Sequence, residues 1–172
     1  MMPAVVIPLE TERLRLRAFR NEDLDAYAPM CADPEVMRYL GTGVTLSRGE
    51  AWRSMAGFLG HWALRGYGMW ALEEKATGAF VGRAGFLYPE GWPGFELGWT
   101  LGREYWGRGF ATEAARRALD YAFRELDQPR LISLIRPANE ASKRVAERLG
   151  QKASREIELL GGPVIVYEIA RP

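Results

Sequence analysis

The sequence has little cysteine and histidine, and it lacks a long apolar run. Its 172 residues include one cysteine, Cys31, and one histidine, His61. A single cysteine forms no internal disulfide, and these two residues do not suffice for a Cys-rich or His-rich zinc site. No apolar run approaches the ~20 residues that a transmembrane helix needs. We therefore expect no bound metal, no membrane partner and a reducing, cytoplasmic location.

An excess of one charge is also lacking. Lys and Arg total 23, Asp and Glu total 22, and the formal net charge is +1. This balance gives no general attraction to nucleic acid, so we expect no nucleic-acid partner. Residues 1–8 lack the charged start and sustained apolar stretch of a signal peptide. The length predicts one domain over residues 1–172, with two small domains as the weaker alternative.

Hydrophobic periodicity predicts an α+β fold, a mixed central sheet of about seven strands flanked by about four helices. The predicted strands are residues 13–17, 69–73, 79–88, 95–101, 131–135, 154–160 and 164–169. The predicted helices are residues 21–33, 47–66, 110–126 and 139–149. Cys31 lies on the apolar stripe of the first helix and is expected in the core. His61 lies off the apolar stripe of the second, which places it on the surface or facing a substrate.

The most informative stretch is residues 95–114, where a strand ends and a Gly-x-Gly loop begins a long helix. The free amides at a helix start carry partial positive charge, and glycines let a ligand approach the backbone. Such a loop suits a phosphate group. The Lys-Ser/Thr of a Walker loop and the G-x-G-x-x-G of a dinucleotide fold are both missing. The alternative from local spacing is a structural turn with a tight helix–strand contact.

This order of elements resembles the GCN5-related N-acetyltransferase (GNAT) family, over about residues 9–170. Residues 106–111 (WGRGFA) match the family's pyrophosphate loop, except that Trp106 replaces Gln or Arg. Residues 9–17 (LETERLRLR) and 139–145 (NEASKRV) are similar to the branch of ribosomal-protein N-terminal acetyltransferases, RimJ and RimL. The resemblance implies a GNAT-like fold and acetyl-CoA as cosubstrate. It does not identify the acceptor.

The resemblance also implies the cofactor contacts. The backbone of Trp99, Thr100 and Leu101 is expected to face the pantetheine arm, in a gap between this strand and the next. The remaining implied contacts are Trp106, Gly107, Arg108, Gly109, Phe110, Ala111, Thr112, Asn139 and Ser142. For three of them a plain structural role is the alternative: a solvated loop arginine for Arg108, a first-turn residue for Thr112 and a helix N-cap for Asn139.

Two catalytic residues are implied. Glu96, at the start of the strand, is the expected base for the acceptor amine, directly or through water; the alternative is a paired or solvent-facing glutamate. Many family members have a tyrosine acid seven residues after the asparagine, but here that position is Ala146. Ser142 is the expected substitute that hydrogen-bonds the leaving sulfur, or it is only a first-turn serine.

The acceptor side is the least defined. Tyr39 and Trp70 are the candidate substrate-binding residues, because aromatic side chains favour apolar acceptors near a cleft. We expect direct transfer from acetyl-CoA to a primary amine in a ternary complex, with a protein N-terminal α-amine favoured over a small-molecule amine. The alternatives are a non-catalytic acyl-CoA-binding sensor and an interaction protein with a vacant helix start. A monomer and a homodimer are both compatible with the sequence.

Overall fold

The computed structural model describes residues 6–172 and forms one sheet with helices on both faces. Residues 1–5, which carry part of the prediction that no signal peptide is present, lie outside the described residues. The strands are β1 (Leu9–Glu10), β2 (Leu14–Arg17), β3 (Met69–Glu74), β4 (Phe80–Leu87), β5 (Glu96–Leu101), β6 (Arg130–Ile135), β7 (Lys152–Leu159) and β8 (Gly162–Ala170). The helices are α1 (Leu24–Ala32), α2 (Pro34–Met37), α3 (Arg48–Arg65), α4 (Phe110–Arg124) and α5 (Glu140–Arg148).

The sheet is mixed, as the sequence predicts. Its strand order is β1-β2-β3-β4-β5-β6-β8-β7, and β5 and β6 are the parallel pair. The sequence predicts about seven strands and about four helices, one fewer of each than residues 6–172 form. The missed elements are β1, with two residues, and α2, with four. Elements this short carry no periodic pattern. Among residues 6–172, no helix is long and apolar enough to cross a membrane.

Core residues on the two faces of the sheet come from different helices. On one face, α4 buries Phe110, Ala114 and Ala118 against strand residues such as Leu97. The opposite face is covered by α1 and α3, whose buried residues include Cys31. The core position predicted for Cys31 is confirmed, and burial raises the pKa of its thiol.

His61 fastens the end of α3 to the end of β4. Its Nδ1 lies 2.7 Å from the carbonyl oxygen of Tyr67, and its Nε2 lies 3.0 Å from the backbone nitrogen of Tyr88. A carbonyl only accepts, so Nδ1 donates and Nε2 accepts, which requires the neutral ring. The sequence left a surface or a substrate-facing position open, but His61 is half-buried and both ring nitrogens are used within the fold, so its role is structural.

The feature that positions the site is the separation of β5 from β6. Their one register pair is Glu96 with Ile132, and Ile132 donates its backbone N–H to Phe95 at 3.0 Å. One residue further, the buried Ser133 hydroxyl donates to the carbonyl of Leu97 at 2.7 Å. Beyond this point the strands no longer pair. A gap opens in the middle of the sheet, with exposed strand backbone along it.

Candidate active site

A cavity of about 220 Å³ lies where β5 and β6 separate. Its walls come from the segment after α2, from strands β4, β5 and β6, from the start of α5 and from the β7–β8 hairpin. The lining polar and aromatic residues are Tyr39, Arg83, Trp92, Glu96, Trp99, Thr100, Ser133, Arg136, Asn139 and Ser142. The predicted base and the predicted acid thus line one cavity, although they are far apart in sequence.

Glu96 is the first residue of β5 and is half-buried in this cavity. Its Oε2 accepts a hydrogen bond from the indole Nε1 of Trp92 at 2.7 Å. Burial raises the pKa of the Glu96 carboxyl to about 7, against the opposing effects of the Trp92 hydrogen bond and the Arg83 charge. A carboxyl with this pKa exchanges protons near neutral pH, which suits a general base.

The glycine loop, residues 106–109, leads into α4 and leaves its first amides unpaired. Gly107 and Gly109 have φ values of +73° and +81°, which few other residues adopt. Gly109 is the N-cap of α4 and provides no side-chain cap, whereas Ser47 caps α3 and Asn139 caps α5. A Cβ at Gly107 would meet no atom within 4 Å, so the loop is open on that side. The result is an uncapped helix start that can bind an anion.

Residues of the β1–β2 turn hold this loop in place. The Glu113 carboxylate, in the first turn of α4, accepts from Thr11 Oγ1 at 2.6 Å and from Arg13 Nε at 2.7 Å. Arg13 Nη1 also donates to the carbonyl of Arg108 at 2.8 Å. Burial acts to raise the pKa of Glu113, but the hydrogen bonds from Thr11 and Arg13 outweigh it and leave that pKa lowered. The loop is therefore fixed before any ligand arrives.

Arg108 and Phe110 contribute differently from what the sequence predicts. The Arg108 guanidinium pairs with the buried Glu74, while the side chain itself stays exposed, as the solvated alternative allows. Its Cζ also lies 4.5 Å from the centre of the Phe110 ring. The Phe110 side chain is fully buried, so only its backbone amide remains for a ligand.

The backbone predicted to face the cofactor is only partly available. The carbonyls of Phe95 and Leu97 point toward β6, and strand backbone groups alternate sides, so those of Trp99 also face the gap. The same alternation turns the backbone of Thr100 toward β4, where its carbonyl oxygen lies against Gly82, which corrects the prediction that its backbone faces the gap. The Leu101 carbonyl accepts from the indole of Trp106 at 3.0 Å.

Thr100 still reaches the cavity through its side chain. Its Oγ1 is buried and has no hydrogen-bond partner among the described residues. Buried polar atoms are nearly always paired, so an unpaired one lining a cavity fits a site that a ligand completes.

Asn139 and Ser142 lie at the start of α5. The Asn139 side chain accepts from the backbone N–H of Ser142 at 3.2 Å, so the N-cap role that the sequence allowed is present. Both residues also line the cavity. Ala146, where other family members have a tyrosine, is fully buried one turn further along the helix. Ser142 is thus the hydroxyl of this helix that reaches the cavity.

The two candidate substrate-binding residues lie in different places. Tyr39 lines the cavity and is half-buried. Trp70 is fully buried within the core, and its indole donates to the carbonyl of Ile7 at 2.8 Å. The prediction that Trp70 binds substrate is corrected: alternation along β3 turns its side chain toward the α4 face.

Sequence reasoning missed four polar residues of the cavity: Arg83, Trp92, Ser133 and Arg136. Arg83 is the one charged residue in the otherwise apolar strand β4, and that exception was the available signal. Trp92 lies in the loop before β5, four positions from Glu96. A loop tryptophan gives no indication of its partner, because the pairing depends on how the loop folds back.

Comparisons with known proteins agree with this geometry. Residues 13–152 match the family model of the acetyltransferase (GNAT) domain. YkkB of Bacillus subtilis, an uncharacterized protein, is 36% identical over 93% of this chain and 94% of its own. The crystal structure of an acetyltransferase from Agrobacterium tumefaciens superposes with a TM-score of 0.87 and 32% identity, covering 97% of this chain and 96% of that one.

A more distant neighbour shares the fold. The structure of RimL, a ribosomal L7/L12 alpha-N-protein acetyltransferase in complex with coenzyme A, has a TM-score of 0.78 at 20% identity. It covers 93% of this chain and 95% of that one. The family model and the full-length relatives place the protein: the chain belongs to the GNAT family and is an acetyltransferase.

Proposed function

We propose that this enzyme transfers the acetyl group of acetyl-CoA to a primary amine, with the α-amine of a protein N-terminus as the favoured acceptor. The observation that carries the proposal is the uncapped start of α4, at one end of a gap whose other end holds Glu96. The fold neighbour RimL, which acts on a protein N-terminus and was solved with coenzyme A, supports it. A small-molecule amine is the alternative acceptor.

Several groups along the gap would bind acetyl-CoA, the acetyl donor. The amides that follow Gly109 would hold the pyrophosphate, because their partial charges favour an anion and none is used within the helix. The free backbone of Trp99 would pair with an amide of the pantetheine arm. The Thr100 hydroxyl and Asn139 line the same cavity. The bound cofactor supplies the activated acetyl thioester, and these residues orient it.

Glu96 would take the proton of the attacking amine. An α-ammonium group has a pKa near 8, so proton transfer to a carboxylate of pKa about 7 is uphill by only ~1.4 kcal/mol. A lysine side chain has a pKa near 10.4, and the same transfer costs ~5 kcal/mol. The difference of ~3.3 kcal/mol, which comes from the pKa values of the two amines themselves, is the reason to favour N-terminal amines.

Direct attack in a ternary complex is favoured over a covalent acetyl-enzyme. Cys31, the one cysteine of the chain, is buried in the core under α1 and does not line the cavity. Ser142 would stabilise the departing sulfur through its hydroxyl. No described residue of the cavity combines a nucleophile with an adjacent base.

The experiment that tests the donor is calorimetric titration with acetyl-CoA, free coenzyme A and ATP. We expect a dissociation constant near 1 μM for both coenzymes, about −8 kcal/mol, and no binding of ATP. Failure of a folded, coenzyme-free sample to bind acetyl-CoA would overturn the proposal.

The acceptor needs a second measurement. Coenzyme A release would be followed with tetrapeptides that have free N-termini, with Nα-acetylated lysine peptides and with small amines. Turnover of the free N-termini alone would support the favoured acceptor. Binding of acetyl-CoA without turnover of any amine would instead indicate the non-catalytic sensor.

A further inference from the structure

We propose that Arg83 binds a carboxylate of the acceptor, so that the enzyme selects amines carrying a carboxylate near the acetylated nitrogen. The inference rests on the proposed function, because it assigns the acceptor class of the same cavity. The carboxylate has two sources: an acidic side chain at the start of a polypeptide, or the acid group of a small aminocarboxylate.

Arg83 lies on the same face of the sheet as Glu96. Its Nη1 is 3.7 Å from the sulfur of Met69. The Met69 methyl group in turn would lie 3.1 Å from a Cβ at Gly98, a position that is 3.8 Å from Glu96 Oε1. Gly98 has no side chain to separate these groups. The guanidinium and the carboxyl therefore line one continuous wall.

Among residues 6–172 Arg83 has no ion-pair partner, and its charge acts on the Glu96 carboxyl only at longer range. Its Nε is buried without a hydrogen-bond partner, and no carboxylate of residues 6–172 lies within 4.0 Å of its guanidinium. Its aromatic contact is Phe58, whose ring centre is 5.0 Å from Cζ. Burying a cation is costly unless an anion pairs with it. A partner is thus missing on the side that faces the cavity.

The cavity suits one carboxylate better than a phosphate. The other arginine in the wall, Arg136, already donates to three backbone carbonyls, those of Gly41, Leu160 and Pro163. Arg83 is thus the guanidinium of the wall whose donors are not occupied by carbonyl oxygens, and a guanidinium can bind a carboxylate in a bidentate manner. The cavity, at about 220 Å³, holds a ligand the size of one or two amino acids.

The test compares acceptors that differ in one carboxylate. Asp-Ala-Ala-amide is matched with Asn-Ala-Ala-amide, and β-alanine is matched with β-alaninamide. We would measure kcat/KM for each with the wild type, Arg83→Gln and Arg83→Lys. Arg48→Gln is the control, since it removes an exposed cation far from the cavity that pairs with Asp25. Acetyl-CoA titration verifies that each variant is folded.

We expect the wild type to prefer the carboxylate by about 30-fold in at least one pair, the value of one charge-assisted contact. Arg83→Gln should reduce this preference to within ~3-fold, while Arg83→Lys and Arg48→Gln retain most of it. The pair that shows the preference identifies the source of the carboxylate. Equal use of both members of each pair by the wild type, or an unchanged preference in Arg83→Gln, would overturn the inference.

A binding measurement separates this inference from the proposed function. Each acceptor would be titrated calorimetrically into the enzyme saturated with coenzyme A. If no acceptor is turned over, the proposed function fails, and the binding data still decide the role of Arg83. Equal affinities of the wild type and Arg83→Gln for both Asp-Ala-Ala-amide and β-alanine would then contradict it.

Discussion

The two ends of the gap that runs along β5 differ in how their charged side chains are paired. At the donor end, meaning the glycine loop and the first turn of α4, each arginine has a carboxylate partner: Arg13 pairs with Glu113, and Arg108 with Glu74. At the acceptor end, meaning Arg83, Trp92 and Glu96, the guanidinium has no anion and burial favours the neutral form of the carboxyl. The charged side chains of the donor end form ion pairs within the protein, whereas those of the acceptor end remain available to a ligand.

This difference matches what each end has to bind. The donor end presents neutral backbone amides in a loop fixed by ion pairs, which suits a cofactor that is the same in every turnover. The acceptor end holds a carboxyl and a guanidinium that, under the two proposals, would find their partners in the substrate. Substitutions at the donor end should therefore change the KM for acetyl-CoA, and substitutions at the acceptor end should change kcat and acceptor choice.

The largest effect is expected at the acceptor end, from Glu96→Gln. The amide cannot accept the amine proton, so kcat should fall by about 100-fold at pH 7. The wild-type rate should rise with pH through about 7 as Glu96 ionises, and this limb should vanish in the variant. The loss should shrink at pH 9, where an α-amine is already neutral. Initial rates from pH 5.5 to 9.5 measure this, and a variant profile like that of the wild type would exclude Glu96 as the base.

Stability provides the control for this variant. A carboxyl whose pKa is raised from 4.5 to about 7 stabilises the fold below pH 4.5 and loses that contribution as the pH rises to 7. The glutamine keeps an acceptor for the Trp92 indole and has no charge to bury. At pH 8 the free energy of unfolding of the variant should exceed that of the wild type by up to ~3 kcal/mol. At pH 4.5 the two free energies should differ little. Denaturant titrations at both pH values measure this.

At the donor end, Gly109→Val should raise the KM for acetyl-CoA about 30-fold with a smaller change in kcat. Valine disfavours the φ of +81° at this position, and its Cβ would lie 3.3 Å from Arg13 Nη2. Gly66→Val is the matched control, because φ there is +77° at the C-cap of α3, outside both the glycine loop and the cavity lining. Steady-state kinetics at varied acetyl-CoA concentration measure this KM. An unchanged KM in Gly109→Val, or an equal rise in the control, would contradict the proposal that the glycine loop binds the cofactor.

The ion pairs that fix the loop should matter less. Glu113→Gln weakens its bonds to Thr11 and Arg13 but leaves the α4 amides in place. We expect a rise of about 5-fold in the KM for acetyl-CoA, with kcat nearly unchanged. Glu35→Gln removes an exposed pair with Arg38 and should change neither. A kcat loss without a KM change in Glu113→Gln would show that the pair does not serve cofactor binding.

The donor end and the acceptor end also differ in how far their residues can be predicted from the sequence. The donor end was predicted because Gly107, Gly109 and the helix after them are contiguous, and a local pattern fixes local geometry. Glu96 was predicted from the resemblance, but its partner Trp92 was not. Trp70 was assigned wrongly and Arg83 was overlooked, because only the register of β3 and β4 determines which side chains reach the cavity. Contacts between distant segments leave no periodic signal in one sequence.

An effect as small as that of Glu113→Gln, but on kcat, is expected from Ser142→Ala, at the boundary between the two ends. The Asn139 cap is to the backbone of Ser142 and survives the substitution, so acetyl-CoA affinity should stay within ~2-fold. Losing one hydrogen bond to the departing sulfur should lower kcat about 5-fold, since a neutral hydrogen bond contributes ~1 kcal/mol. Ser142→Thr retains the hydroxyl and should restore most of the rate. If the alanine variant instead loses affinity for acetyl-CoA with kcat intact, Ser142 belongs to the donor end as a cofactor contact and plays no part in the departure of the thiolate.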